Sequence, residues 1–200
     1  MSKEGVDKGR RRFLTAATSV VGAVGAGFVA APFVISMEPS ARAQAAGAPV
    51  EADISKLEPG LMITIAWRGK PVWIVRRTKQ NLDDLPSNDP RLTDPKSDNT
   101  AQQPAWAKNE FRSQEEHKEI LVLVGICTHL GCSPTFRPEL APADLGADWK
   151  GGFLCPCHGS RFDLAGRVLN GSPAPKNLEV PPYKFLSDTR IIVGVDKGAA

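Results

Sequence analysis

Two short segments hold all four cysteines of the chain and two of its three histidines: Cys127-Thr128-His129-Leu130-Gly131-Cys132 and Cys155-Pro156-Cys157-His158-Gly159-Ser160. Thiolate and imidazole are strong ligands for iron and zinc, and random placement would not gather them so closely. Each segment pairs a cysteine with a nearby histidine, Cys127 with His129 and Cys155 with His158, and adds one further cysteine. Two matched half-sites point to one metal centre clasped between two loops. The third histidine, His117, stands in the charged run Glu115-Glu116-His117-Lys118 and is expected to be a solvated surface residue without a role.

Three structures can be built from such a set. A 2Fe–2S cluster needs four protein ligands, two per iron. With histidines on one iron it is a Rieske centre, and its potential is high because two neutral imidazoles remove negative charge that opposes reduction. Cys127 and Cys155 would then hold the inner iron and His129 and His158 the outer one, leaving Cys132 and Cys157 over. Zinc also takes Cys2His2 sets, but its usual spacing is absent and each half-site mixes the two ligand types. Two structural disulfides are the third option, since four cysteines permit three pairings, but they leave the paired histidines unexplained.

The two boxes, C-T-H-L-G-C and C-P-C-H-G-S, resemble those of the Rieske iron–sulfur subunit of the cytochrome bc complexes, the quinol:cytochrome c oxidoreductases. The likeness continues in Gly69-Lys70-Pro71-Val72-Trp73-Ile74-Val75-Arg76-Arg77, similar to an early strand pair of that family, and in Gly171-Ser172-Pro173-Ala174-Pro175, similar to its proline loop. It runs from the N-terminal anchor to near the last residue. The resemblance implies one Rieske-type 2Fe–2S cluster on Cys127, His129, Cys155 and His158, with a Cys132–Cys157 disulfide locking the loops. It implies that Leu130 shields the cluster and that the Ser160 hydroxyl donates to a bridging sulfide. Gly131, Gly159 and Pro156 suit tight loops whose backbone N–H groups turn toward sulfur. One departure stands out: Phe162 occupies a position where the family commonly carries tyrosine, whose hydroxyl donates to a ligating sulfur. Donors aimed at sulfur favour the reduced cluster, so Phe162 predicts a lower potential than in a Tyr-bearing relative.

The elements that must position these loops are mainly β. Past Glu51 the apolar runs are short, β-branched and broken by Gly and Pro. Met62 to Trp67, a turn at Arg68-Gly69-Lys70-Pro71, and Val72 to Val75 read as a hairpin. Ile120 to Val124 is a strand delivering the chain into the first box, and Ile191 to Val195 a closing strand. The stretch from Asn81 to Ser113 reads as a loop with a short helix. The predicted fold is an antiparallel Rieske-type β domain over 51–200, with a small cluster-binding subdomain at about 127–170.

The front of the chain has a different character. Phe13 to Ile35 is 23 residues without a charge, about 34 Å as a helix and enough to cross a bilayer core. Pro32 is a candidate kink. Residues 1–12 carry Lys3, Lys8, Arg10, Arg11 and Arg12 against Glu4 and Asp7, an excess that keeps this end cytoplasmic and sends the β domain to the periplasmic side of a bacterial inner membrane. Arg10-Arg11-Arg12-Phe13-Leu14 fits the twin-arginine export pattern, a route that carries folded proteins with cofactors in place. Ala41-Arg42-Ala43 is an A-x-A sequence of the kind signal peptidases cut, whereas the family keeps its signal as an anchor. The alanine-rich stretch within 36–50 reads as a pliable or weakly helical tether, and the resemblance makes it a hinge.

The functional expectation is an iron–sulfur subunit that takes an electron and a proton from ubiquinol, with His158 as the contact, and passes the electron to a c-type haem. Its partners would be a cytochrome b subunit and a c-type cytochrome subunit in a dimeric multi-subunit complex. The small Rieske subunit of another exported oxidoreductase, of the arsenite oxidase type, is the alternative. Soluble Rieske ferredoxins usually lack the extra cysteine in each box. A net charge of +3 with no basic stripe interleaved with aromatics argues against nucleic acid, and there is no nucleotide loop or Ser/His/Asp set.

Overall fold

The computed structural model describes residue 5 and residues 7–197, which divide into two compact units, Met1–Ala45 and Ala46–Ala200. In the first, α1 spans Lys8–Ser36. It begins earlier than the uncharged run because Asp7 caps it, its carboxylate accepting from the N–H groups of Gly9 and Arg10 at 2.9 and 3.1 Å. The arginines that follow are good helix formers. Pro32 lies inside α1, which continues past it to Ser36. The helix is long and apolar enough to cross a membrane. Residues 1–4 and 6 of the basic N-terminus lie outside the described residues.

The alanine-rich segment is helical over α2, Ala41–Ala46, where the Ser40 hydroxyl accepts from the Ala43 N–H at 3.2 Å. The boundary between the two units falls at the end of this helix.

The second unit holds three antiparallel three-stranded sheets. One joins β1 (Val50–Asp53), β9 (Arg190–Val193) and β8 (Tyr183–Ser187) in that order. The next joins β2 (Met62–Trp67), β3 (Lys70–Arg76) and β4 (Ile120–Val124). Here the hairpin turns on Arg68-Gly69, both at positive φ (51° and 71°), the two-residue geometry that matches strand twist. Every residue of β4 is buried, as its unbroken apolar run requires. The third sheet joins β5 (Thr135–Arg137), β6 (Gly152–Leu154) and β7 (Arg161–Asp163), and lies within the segment expected to carry the metal loops. One core draws residues from all three sheets, including Val72, Leu121, Phe153, Phe162, Tyr183 and Ile191.

The polar stretch before β4 contains more order than a loop with one helix. It holds α3 (Lys79–Asp84), capped reciprocally by Thr78 and Asn81, and short 3-10 turns at Leu85–Arg91, Thr100–Gln102 and Ala105–Ala107. It is anchored by buried arginines. Arg112 donates to the carbonyls of Ala165, Gly166 and Gln102 at 3.2–3.3 Å. Arg77 donates to the carbonyls of Phe111 and Leu164 at 2.8 and 3.0 Å. Arg167 pairs with Asp163 at 2.8 Å and with Asp89 at 2.8 Å. Burial pushes the Arg77 and Arg112 guanidiniums down to about 10, so both remain charged at neutral pH and their carbonyl partners replace lost water.

His117 corrects the sequence reading. Its ring is half-buried and stacks on Phe185 of β8 at 3.8 Å. The charged neighbours face water, and the tertiary approach of β8 covers the imidazole between them.

Candidate metal centre

The two boxes fold into the same loop, a likeness their residue order only half discloses. In the first, the Cys127 N–H donates to the Cys132 carbonyl at 2.7 Å and the Gly131 N–H to the Cys127 carbonyl at 3.1 Å. In the second, the Cys155 N–H donates to the Ser160 carbonyl at 2.8 Å and the Gly159 N–H to the Cys155 carbonyl at 2.9 Å. Both loops reverse at the glycine in fifth place, Gly131 at φ 84° and Gly159 at φ 75°, a conformation that L side chains resist. Read in register, the leading cysteines coincide, whereas His129 is third in its loop and His158 fourth in its own.

This geometry sorts the ligand candidates by depth. Cys127 and Cys155 are free thiols and are 2% and 1% exposed. Burial pushes the Cys127 thiol up from its ordinary value, opposed by the His129 backbone N–H and the Ser160 hydroxyl, with the neighbouring Cys155 thiol adding to the rise. His129 is half-buried, His158 is exposed, and their rings meet edge-on with centroids 4.8 Å apart. Two adjacent buried thiols beneath two adjacent imidazoles fit a centre with sulfur ligands at its inner end and nitrogen ligands at its outer end. Leu130, 71% exposed, stands next to His129 at the tip.

Cys132 and Cys157 are joined in a disulfide with Cα atoms 6.6 Å apart, bridging 25 residues. That bond excludes the reading of the four cysteines as two disulfides, because Cys127 and Cys155 stay free. On the chain-entropy account a loop of this length contributes roughly 3.5 kcal/mol. The sulfurs of Cys132, Cys155 and Cys157 lie within 4.8 Å of one another. They do not form a metal site of their own, since two of them are spent on each other and a disulfide sulfur is not a thiolate.

The proline loop closes on both boxes. The Thr128 hydroxyl donates to the Lys176 carbonyl at 2.6 Å, tying down the first box. The Ser160 hydroxyl accepts from the Ala174 N–H at 3.0 Å, tying down the second. The Ser172 hydroxyl accepts from the Arg161 N–H at 3.1 Å just beyond it.

Trp73 of β3 supports both loops from below. Its ring stacks on Phe153 of β6 at 5.0 Å and 9°, two residues before Cys155. It also lies against Gly125, two residues before Cys127, where a Cβ would sit 2.3 Å from Trp73 Cε2. One indole therefore touches the stem of each cysteine. Trp73 was legible in the sequence only as a strand residue, and the glycine before the first box was the one available signal of a close approach. The buried arginines had no signal at all.

Phe162 is fully buried on β7, paired with Phe153 of β6. The chain's one tyrosine, Tyr183, is on β8, its ring packed edge-on against Trp106 at 4.9 Å.

Comparison with known proteins finds relatives along the whole chain. Residues 1–40 match the family model described as "Ubiquitinol-cytochrome C reductase Fe-S subunit TAT signal". Residues 97–184 match the "Rieske [2Fe-2S] domain". The ubiquinol-cytochrome c reductase iron-sulfur subunit of Allochromatium vinosum is 64% identical over 200 residues, covering 100% of this chain and 95% of its own length. That of Bradyrhizobium diazoefficiens is 45% identical over 186 residues, covering 92% of this chain and 94% of its own. Among solved structures, a chain of "Hyperthermophilic respiratory Complex III" aligns at a TM-score of 0.46 and 28% identity, over 88% of this chain and 98% of that one. The assignment rests on the sequence relatives: with two buried thiols, two paired imidazoles and a locking disulfide in a matching domain, this chain carries a Rieske 2Fe–2S centre and belongs to the family of ubiquinol-cytochrome c reductase iron-sulfur subunits.

Proposed function

We propose that this chain is the iron–sulfur subunit of a quinol:cytochrome c oxidoreductase. It accepts an electron and a proton from ubiquinol at the membrane surface and passes the electron to a c-type cytochrome haem. The observation that carries this reading is the depth order of the site, with Cys127 and Cys155 buried and His158 exposed at the tip. Cys127, His129, Cys155 and His158 hold the cluster, and the cluster supplies one-electron redox chemistry when bound.

The protein's own residues do the rest. His158 presents a ring nitrogen to solvent, where it accepts a hydrogen bond from the quinol hydroxyl and then its proton. Leu130, exposed beside His129, gives the tip an apolar side chain next to that contact. Ser160 and the His129 N–H direct donors at sulfur, favouring the more negative state of the site. The disulfide and proline loop hold both boxes still, so that little reorganisation accompanies each electron.

α1 serves as a single-pass inner-membrane anchor, with residues 1–12 cytoplasmic and the β domain periplasmic. The basic residues that precede the uncharged run, four of them in the first turns of α1, and the match to an export-signal model support that orientation. Residues 36–50 form the hinge on which the domain 51–200 moves between a cytochrome b subunit and a c-type cytochrome subunit, within a dimeric complex.

Electron paramagnetic resonance on isolated membranes, combined with a redox titration, tests the assignment. Wild-type membranes give a Rieske spectrum, and His158→Ala abolishes it. A normal cluster spectrum in that variant would remove His158 from the ligand set.

A further inference from the structure

Cys155 has a second possible partner besides iron. Its Sγ lies within 4.8 Å of both sulfurs of the Cys132–Cys157 disulfide. Its thiol is free and buried, so thiols in solution are kept away while the neighbouring disulfide is not. Thiol–disulfide exchange needs only a sulfur nucleophile beside a disulfide, and an intramolecular pair held this close has a large effective concentration. While Cys155 ligates the cluster its sulfur is occupied. Once the cluster is gone, the freed sulfur stands within 4.8 Å of both sulfurs of that bond.

We propose that the cluster-free chain is a thiol–disulfide exchange site, in which Cys155 displaces Cys157 from Cys132. The Cys155 thiolate attacks Cys132 Sγ, a Cys132–Cys155 bond forms, and the Cys132–Cys157 bond breaks. The electron pair leaves on Cys157 Sγ, which takes up the proton that Cys155 released. One thiol and one disulfide stand on each side of the step, so no oxidant or reductant takes part.

Two features select Cys132 as the sulfur attacked. A Cys155–Cys157 bond would have to close across Pro156 alone, whose φ is locked. Cys157 is the exposed member of the pair, so its thiolate departs into water, which favours it as leaving group.

The exchange disables the site, because one buried ligand is now held in a covalent bond and the pair Cys127/Cys155 no longer exists. Cluster loss outside the reducing cytoplasm is therefore self-sealing. Export with the cluster already inserted avoids it. The inference depends on the proposed function only in that a bound cluster occupies Cys155, which the wild-type resonance signal checks separately.

The test uses the full chain in membranes as wild type, His158→Ala, and His158→Ala combined with Cys155→Ser. Samples are quenched in acid, and free thiols are alkylated under denaturing conditions. Disulfides are then mapped without reduction by fragmentation that separates Cys155 from Cys157, which share one tryptic peptide. In His158→Ala, a Cys132–Cys155 linkage with alkylated Cys157 accumulates with time. It is absent from cluster-loaded wild type, and the double variant shows only Cys132–Cys157. The proposal is overturned if His158→Ala keeps only Cys132–Cys157 after prolonged incubation, with Cys127 and Cys155 both alkylated. Should that variant be degraded, wild-type membranes stripped by an iron chelator without reductant give the same two readings.

Discussion

Phe162 is where a single side chain bears most directly on the redox chemistry of the centre. It is fully buried, one strand position from the second box and two residues after Ser160, so any hydroxyl added to its ring must find a partner inside the protein. The family resemblance leads us to expect a ligating cysteine sulfur as that partner. A hydrogen bond that is about 1 kcal/mol stronger in the reduced state raises a one-electron potential by roughly 40 mV. Phe162→Tyr is accordingly expected to raise the midpoint by that order in a titration followed by electron paramagnetic resonance. An unchanged midpoint with lowered thermal stability would show that the hydroxyl is buried without reaching sulfur. The motif itself was plain in the sequence, because ligand chemistry depends on residue type and short spacing. What was not plain was which groups touch Cys127, since Ser160 comes from the other loop.

At the scale of elements, the loops are only as well placed as the strands that launch them. Gly125 ends the path out of β4, and the Trp73 ring occupies the space a side chain would take there. That ring cannot retreat, because its other contact is the Phe153 stack. Gly125→Ala is expected to cost about 1–3 kcal/mol in thermal unfolding and to lower the iron retained per chain. The turn after β7 is held by charge. The Asp163 carboxylate accepts from the Ala165 N–H, the Arg167 N–H and the Arg167 guanidinium, all at 2.9 Å. Asp163→Asn leaves the fully buried Arg167 with only the half-exposed Asp89 as counter-charge. The expected loss is about 3–5 kcal/mol in denaturant titration. A loss below 1 kcal/mol would mean that the carbonyls of Leu85 and Pro95, which also accept from Arg167, satisfy the guanidinium by themselves.

For the molecule as a whole, the division at Ala45/Ala46 separates an apolar helix from a redox domain, and the proposed function requires that the two move independently. The only regular structure between α1 and β1 is the six-residue α2, too short to be stable alone in water. Proline at Ala43 and Gln44 would replace it with a stiff extended segment. Quinol:cytochrome c turnover is then expected to fall several-fold while the resonance spectrum and midpoint stay as in wild type. Equal turnover would remove the tether from the mechanism. The anchor was readable from composition, by its uncharged length, while the alanine-rich segment after it showed in composition only the lack of any large apolar face.

The residues alone determined the chemistry. Two boxes of Cys and His fix which atoms can bind metal, and an uncharged run of membrane length fixes where the chain is held, because both properties depend on residue type within a short window. Only the tertiary structure decided how the boxes are held to one another. The shared loop geometry, the indole beneath both stems, the guanidiniums buried against carbonyls, and the nearness of Cys155 to the disulfide all join residues distant in the chain. Contacts of that kind leave no local periodicity, since they arise from the way the sheets pack rather than from any neighbouring residue.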